Sequence, residues 1–150
     1  MDTYLKQFVI FSLEGNEYGI DISLVTTIEK SISMARVPRT PAYIMGVINL
    51  RGEIIPVVDM RTMFDYPQKA DTEDTRIIVL TINETVVGIR VDAVAEVAAL
   101  TQDSIENTVN VNNDEINNYI MGVGKINNRI ITLLNMEKFL DSVSGQTRLQ

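Results

Sequence analysis

The sequence predicts a mainly β protein made of two similar units of about five short strands each, packed around a shared hydrophobic core. Three observations predict this class. The apolar residues fall in short runs rich in Val, Ile, Leu and Phe, with turn residues between them. The order of runs and turns in the first half recurs in the second. Finally, 150 residues with 45% apolar and 22% charged side chains suit one compact domain rather than a disordered chain.

The first half is predicted to hold five strands separated by turns. They are placed at residues 8–13, 17–22, 23–29, 46–50 and 53–58. Pro38 and Pro41 lie in the long gap before the fourth strand and predict a loop, because proline cannot donate a ladder hydrogen bond. Arg51 and Gly52 form the turn of the last hairpin, where glycine readily accepts a positive φ.

A short helix is predicted over residues 60–64, because Asp59 can accept a hydrogen bond from a free backbone N–H group at the helix start. The polar stretch 65–74 follows and is predicted to be an exposed linker. The chain, residues 1–150, is then one domain with two subdomains. These are predicted at about 8–64 and about 75–140.

The second half repeats the first. A shift of 69 residues aligns strand, glycine and apolar positions: Phe8 with Ile77, Gly19 with Gly88, Val25 with Val94 and Ile28 with Val97. A shift of 76 residues aligns the last hairpin and the helix cap: Gly46 with Gly122 and Asp59 with Asn135. The second unit therefore has a longer middle loop, at 101–118, and a short helix near the C-terminus. Two unrelated β segments aligned on Val and Ile alone would not share glycines, turns and caps.

Five short strands in roughly 60–70 residues are typical of a small SH3-like barrel. One such barrel buries too little surface to be stable alone, so two are expected to pack together and leave a groove where they meet. The predicted fold is therefore two five-stranded SH3-like β-barrels around a shared core, with short helices.

The composition excludes several kinds of chemistry. His and Cys are both absent, which excludes Ser-His-Asp catalysis, thiol nucleophiles, disulfides and zinc sites made of imidazole or thiolate ligands. We expect no cofactor and no metal. The net charge of −7 disfavours nucleic acid and anionic lipid as partners. Neither a secretory signal nor a membrane-spanning apolar run is visible, so we expect a cytoplasmic location and no membrane insertion.

Carboxylate pairs are the candidate acid–base groups. They are Asp21 with Glu29 in the first half and Asp92 with Glu96 in the second. A carboxylate hydrolase would also need a nucleophile or an oxyanion donor, and the sequence identifies neither, so we expect no enzyme. A small β-barrel that binds nucleic acid is another class, disfavoured by the charge and by an aromatic content of 6%.

Two features stay open from the residues alone. Arg51 is either an exposed turn residue or a multi-donor contact for a carboxylate or carbonyl beside the groove. Gly19 and Gly88 lie inside strands, where glycine indicates a barrel corner or a close backbone approach more readily than a ligand contact.

Four segments carry a specific pattern. They are FSLEGNEYGIDI at 11–22, P-x-x-P-x-x-I-x-G-V-x-N-L-R-G at 38–52, IIPVVD at 54–59 and VGIxVD at 87–92. Together they resemble the CheW family of chemotaxis coupling proteins, over about residues 7–139. No kinase or receiver segment is attached, so the chain resembles the stand-alone adaptor of that family.

The resemblance implies the doubled SH3-like fold, no catalysis and two protein partners. One is the cytoplasmic tip of methyl-accepting chemotaxis receptors, and the other is the CheW-like regulatory domain of the histidine kinase CheA. A cytoplasmic adaptor of this kind would be recruited to membrane-associated receptor arrays through these partners.

The resemblance also implies binding residues. A receptor-binding groove would include Val25, Ile28, Gly88, Val94 and Val97, with Arg51 and Gly52 beside it. A kinase-binding surface would include Met34, Val37 and Gly46. Many family members have an acidic residue at the position of Thr27 that pairs with the arginine matching Arg51. Glu29, on the same strand face, is the candidate replacement in this chain.

Overall fold

A computed structural model of the chain describes residues 5–30, 32–106 and 119–147. Strands β1–β6 are Leu5–Leu13, Asn16–Asp21, Val25–Glu29, Met34–Ala35, Ile44–Leu50 and Glu53–Asp59. Strands β7–β12 are Arg76–Ile82, Thr85–Val91, Ala93–Thr101, Ile105–Glu106, Ile120–Ile126 and Arg129–Leu134. Helices α1 and α2 are Met60–Met63 and Met136–Thr147. Most of the long loop predicted at 101–118 lies outside the described residues, which resume at Tyr119.

The strands form two six-stranded sheets. Sheet 1 has the order β10-β11-β12-β2-β1-β9, and sheet 2 has the order β4-β5-β6-β8-β7-β3. Exchanging each strand for the one six places away in the chain converts one order into the other, so the sequence repeat is also a repeat of structure. The predicted class is confirmed: the protein is mainly β, with two barrel-like units, a shared core and short helices. Each sheet has six strands because the two-residue strands β4 and β10 extend it.

The two sheets do not coincide with the two halves of the sequence. Four ladders join strands from different halves: β1 with β9, β2 with β12, β3 with β7, and β6 with β8. Each sheet therefore contains strands from both predicted subdomains, 8–64 and 75–140. The linker at 65–74 separates the halves along the chain but does not separate the sheets.

Strands β1 and β7 are buried on both faces, which explains their continuous apolar runs. In β1, Phe8 and Ile10 face a small cluster inside sheet 1, while Phe11 and Leu13 face the core shared by the sheets. The equivalent side chains of β7 divide in the same way between sheet 2 and the shared core. A strand of this kind cannot sit at an exposed edge, and β1 and β7 each have a neighbour on both sides.

The shared core is closed by the two helices. Met60 and Phe64 enter it at α1, and Met136 and Phe139 enter it at α2. The predicted cap of the first helix is present, since the Arg61 backbone N–H donates to Asp59 Oδ1 at 3.2 Å. The equivalent Asn135 Oδ1 accepts from the backbone N–H of Lys138 at 3.1 Å.

A buried arginine ties three segments together next to this core. The Arg61 side chain is only 5% exposed and forms ion pairs with Glu14 and Asp92. Burial alone would lower the pKa of Arg61, but the hydrogen bond to Glu14 and the charges of both carboxylates raise it. Arg61 Nε also donates to the carbonyl of Pro67 at 2.7 Å, so the arginine anchors the linker.

A second arginine holds the other end of the linker. The side chain of Arg90 is 7% exposed and lies in strand β8. Its Nη2 donates to the Lys69 carbonyl at 2.7 Å, and its Nε donates to Asp71 Oδ1 at 2.9 Å. The linker is exposed in most of its side chains, yet its backbone is attached to the body at two points.

We expect that neither half of the chain folds as a monomer when it is produced alone. Cutting between Gln68 and Lys69 would leave residues 1–68 without β9 and β12, and residues 69–150 without β3 and β6. Amide NMR spectra should show little dispersion for each separate piece and native dispersion for the equimolar mixture. A dispersed spectrum from either piece as a monomer would contradict the exchanged ladders.

Replacing Arg61 with Ala should lower the free energy of unfolding by about 3–5 kcal/mol, because it leaves the charges of Glu14 and Asp92 without their partner. Urea unfolding gives this quantity directly. The matched control is Lys125→Ala, which breaks the exposed Lys125–Glu106 pair at 3.0 Å. It should change stability by less than about 1 kcal/mol. Equal losses in both variants would show that the burial of Arg61 does not matter.

Candidate functional site

The predicted groove residues of β3 and β9 lie at equivalent places in the two sheets. Each strand forms one edge of its sheet. Val25 and Val94 are partly buried and pack against the shared core. Farther along, Ile28 and Val97 are 39% and 50% exposed. The two edge strands thus each present one half-buried valine and one exposed aliphatic side chain.

Gly88, the fifth predicted groove residue, is buried in the middle of sheet 2. It is opposite Val79 on one side and Val57 on the other. A Cβ atom added there would lie 3.0 Å from Ile77 Cγ2. The equivalent Gly19 is equally crowded in sheet 1. Both glycines permit close packing inside a sheet, as the strand pattern favoured.

Arg51 and Gly52 form the β5–β6 hairpin turn and are exposed. Their φ angles are 54° and 88°, and the Gly52 backbone N–H donates to Asn49 Oδ1 at 2.9 Å. In the equivalent turn of sheet 1, Asn127 has a φ of 56°. Asn tolerates this left-handed backbone better than other side chains, whereas Arg is strained in it. The turn itself therefore does not account for an arginine at position 51.

The expected ion pair between Arg51 and Glu29 is wrong. Within the described residues, Arg51 has no ion-pair partner, and Glu29 accepts a hydrogen bond from Thr27 Oγ1 at 2.9 Å. The strand register explains this difference. Glu29 is level with Ile77 and, across β8, with Asp59. Arg51 precedes Asp59 by eight residues along the chain, so the two side chains lie at opposite ends of sheet 2.

The predicted kinase-binding residues come together at the other edge of sheet 2. Met34 in β4 pairs with Ile48 of β5. A Cβ atom added to Gly46 would overlap the Ala35 carbonyl oxygen and lie 2.9 Å from Met34 Cγ. Gly46 therefore lets β4 cross β5 closely. Val37 follows β4 in a loop and is 38% exposed.

The candidate catalytic carboxylates are engaged in structural contacts. Asp21 accepts from the Ser23 backbone N–H at 2.9 Å and pairs with Lys6 at 3.2 Å. Burial raises the pKa of Asp21, but the hydrogen bonds from Ser23 and Lys6 outweigh it, so the net shift is downward. Glu96 binds Arg129 at 2.8 Å on the surface of sheet 1.

Two absences apply to the described residues only. Residues 5–30, 32–106 and 119–147 contain no group of three or more carboxylates placed to hold a metal ion. Over the same ranges, no helix has the length and apolar character needed to cross a membrane.

Sequence reasoning missed an exposed apolar surface on sheet 2. In β6, Ile55 and Val57 face the interior cluster of the sheet, so the alternate residues face outward. With their partners in β4 and β5 they form a surface that we call the β4–β6 outer face: Ala35, Val47, Asn49, Ile54 and Pro56. Ile54 is 61% exposed. The alternation was visible in the sequence, but the apolar run concealed which face is open.

Comparison with known proteins decides the family. Residues 7–144 match the family described as CheW-like domain.

The chain belongs to the CheW-like family.

The resemblance carried by the four motifs is thereby confirmed. The chemotaxis protein CheW of Klebsiella aerogenes is 38% identical over 141 residues, covering 94% of this CheW-like chain and 85% of that protein. The CheW of Helicobacter pylori is 35% identical over 134 residues, covering 89% and 81%. Among solved structures, the scaffolding protein TtCheW from Thermoanaerobacter tengcongensis superposes with a TM-score of 0.80 at 36% identity, covering 87% of this chain and 89% of that one.

Arg51→Asn should raise the free energy of unfolding of the CheW-like chain by about 0.5–1 kcal/mol, because Asn relieves the left-handed strain of the turn. The twin substitution Asn127→Arg should lower it by a similar amount. Urea unfolding of both variants measures the effect. If both substitutions shift stability in the same direction, the turn strain is not the cause.

Proposed function

We propose that this chain is a non-catalytic chemotaxis adaptor that binds receptor tips and the kinase CheA at the same time. Membership of the CheW-like family and the scaffolding role printed for the similar solved structure support this role. A cytoplasmic location, reached through partners at receptor arrays, belongs to the same proposal. So does the lack of an enzymatic activity.

The single observation that carries the proposal is the placement of the two predicted surfaces. The receptor residues Val25 and Ile28 lie in β3, and the kinase residue Met34 lies in β4. These strands are the two edges of sheet 2, with β7, β8, β6 and β5 between them in the strand order. Two partners can therefore occupy the protein without competing for one edge.

The receptor surface is proposed to consist of the exposed and half-buried aliphatic side chains of β3 and β9. Val25, Ile28, Val94 and Val97 suit the apolar face of an amphipathic helix. Arg51, which has no ion pair in the described part of the chain, is available for a receptor carboxylate or carbonyl. It lies towards the end of sheet 2 where β3 begins.

The mechanism is geometric rather than chemical. An adaptor that holds receptor and kinase together converts their encounter into an intramolecular event and raises their effective concentration. A change in receptor packing can then shift the equilibrium of the kinase, provided that the two receptor states bind the adaptor differently. The rigid ladder between β3 and β7 supplies the connection between the two edges.

Val94→Asp and Arg51→Ala should each weaken binding to a receptor-tip fragment by about tenfold or more, because they place a charge in an apolar contact or remove a donor. Binding to the CheA regulatory domain should change by less than about threefold. Titration calorimetry with each partner separately provides both values.

Val37→Asp is the reciprocal control, since Val37 belongs to the proposed kinase surface. It should weaken kinase binding and spare receptor binding. Circular dichroism confirms the fold of each variant. Parallel loss of both partners in any folded variant would refute the assignment of two surfaces.

A further inference from the structure

The positive charge of this acidic chain is concentrated in one stretch. The chain carries 13 basic and 20 acidic residues, yet residues 30–52 contain no acidic residue. They hold four cations: Lys30, Arg36, Arg39 and Arg51. The structure places this stretch around β4 and β5, at the edge of sheet 2.

These cations differ from those in the strands of sheet 1. Lys6, Lys125 and Arg129 each bind a carboxylate, at 3.2, 3.0 and 2.9 Å. In the described ranges, neither Arg36 nor Arg39 has an ion-pair partner, and both are exposed. Their charge is therefore not neutralised within the part of the protein that the structure shows, and it is available to another molecule.

The backbone at Arg39 indicates that the side chain is not there for the turn. Arg39 has a φ of 67° and follows Pro38, a turn position that normally favours Gly or Asn. The turn is held by a hydrogen bond from Thr40 Oγ1 to the Val37 carbonyl at 3.1 Å. An arginine at this position strains the backbone and contributes only its exposed guanidinium.

An open apolar surface adjoins these arginines. Arg36 directly follows Ala35 of the β4–β6 outer face, and Val37 lies between the two arginines. The equivalent face of sheet 1 consists of Glu106, Val123, Lys125, Ile130 and Thr132. There, Lys125 and Glu106 form an ion pair across the strands at 3.0 Å. The twin face is thus polar and internally paired, whereas the β4–β6 outer face is apolar and bordered by unpaired arginines.

We propose that the β4–β6 outer face, together with Arg36 and Arg39, docks a protein surface that has an apolar centre and a rim of carboxylates, and that the CheA regulatory domain presents this surface. The inference rests on the proposed function and adds the chemistry of the kinase contact. Apolar burial at Val47, Ile54 and Pro56 holds the complex, while the arginines guide the approach and fix its orientation.

The electrostatic part is tested by measuring the affinity of the full chain for the CheA regulatory domain at low and high salt. Arg36→Glu combined with Arg39→Glu should weaken binding by about tenfold or more at 50 mM salt. At 500 mM salt the loss should shrink to within about threefold, because the longer-range attraction is then screened. Receptor-tip binding by the same variant should stay unchanged and serves as the check on folding.

The apolar part is tested with a matched pair of substitutions. Ile54 and Ile130 occupy equivalent positions in the two sheets and are 61% and 65% exposed. A glutamate at either site is therefore equally harmless to folding. Ile54→Glu should weaken kinase binding by about tenfold or more, and Ile130→Glu by less than about twofold.

The outcomes separate this inference from the proposed function. If the wild-type chain binds the regulatory domain but salt and the arginine reversal have no effect, the acidic partner surface is wrong and the adaptor role stands. Equal losses for Ile54→Glu and Ile130→Glu overturn the β4–β6 outer face as the contact. If the wild-type chain binds neither the regulatory domain nor the receptor tip at any salt concentration, the adaptor role and this inference both fail.

Discussion

Ladder hydrogen bonds between the two halves of the chain are the constraint on which the rest of the structure depends. Strands β1 and β7 are apolar on both faces and need a neighbour on each side, and in both cases one neighbour comes from the other half. This exchange brings β3 and β9 to the edges of their sheets. It also places the shared core between the sheets, so the core and the candidate receptor surface have a common cause.

Local features were predictable from the sequence, and long-range pairing was not. The hairpin at Arg51, the cap at Asp59 and the repeat depend on residues that are close in the chain or aligned by a fixed shift. Strand exchange involves partners about 90 residues apart, and periodicity carries no information on which of two similar strands becomes the neighbour. Strands β4 and β10 are too short to produce a pattern.

The candidate site shows the same division. The side-chain period of a strand correctly relates Thr27 and Glu29, which share a hydrogen bond, but it cannot tell which end of a sheet a residue occupies. For that reason the Glu29–Arg51 pair was wrong. The linker was predicted to be exposed from its polar composition, yet the anchors provided by Arg61 and Arg90 depend on tertiary contacts that composition does not reveal.

The exchanged ladders also bear on the ancestry of the fold. An ancestor with a single copy of the repeat could complete these sheets only as a homodimer, and a homodimer must carry identical residues on both of its faces. Fusion of two copies into one gene removes that symmetry requirement. One face could then acquire the Lys125–Glu106 pair while its twin kept Ile54 and Pro56 open to water. Divergence after fusion gives one polypeptide two unlike surfaces on nearly the same framework.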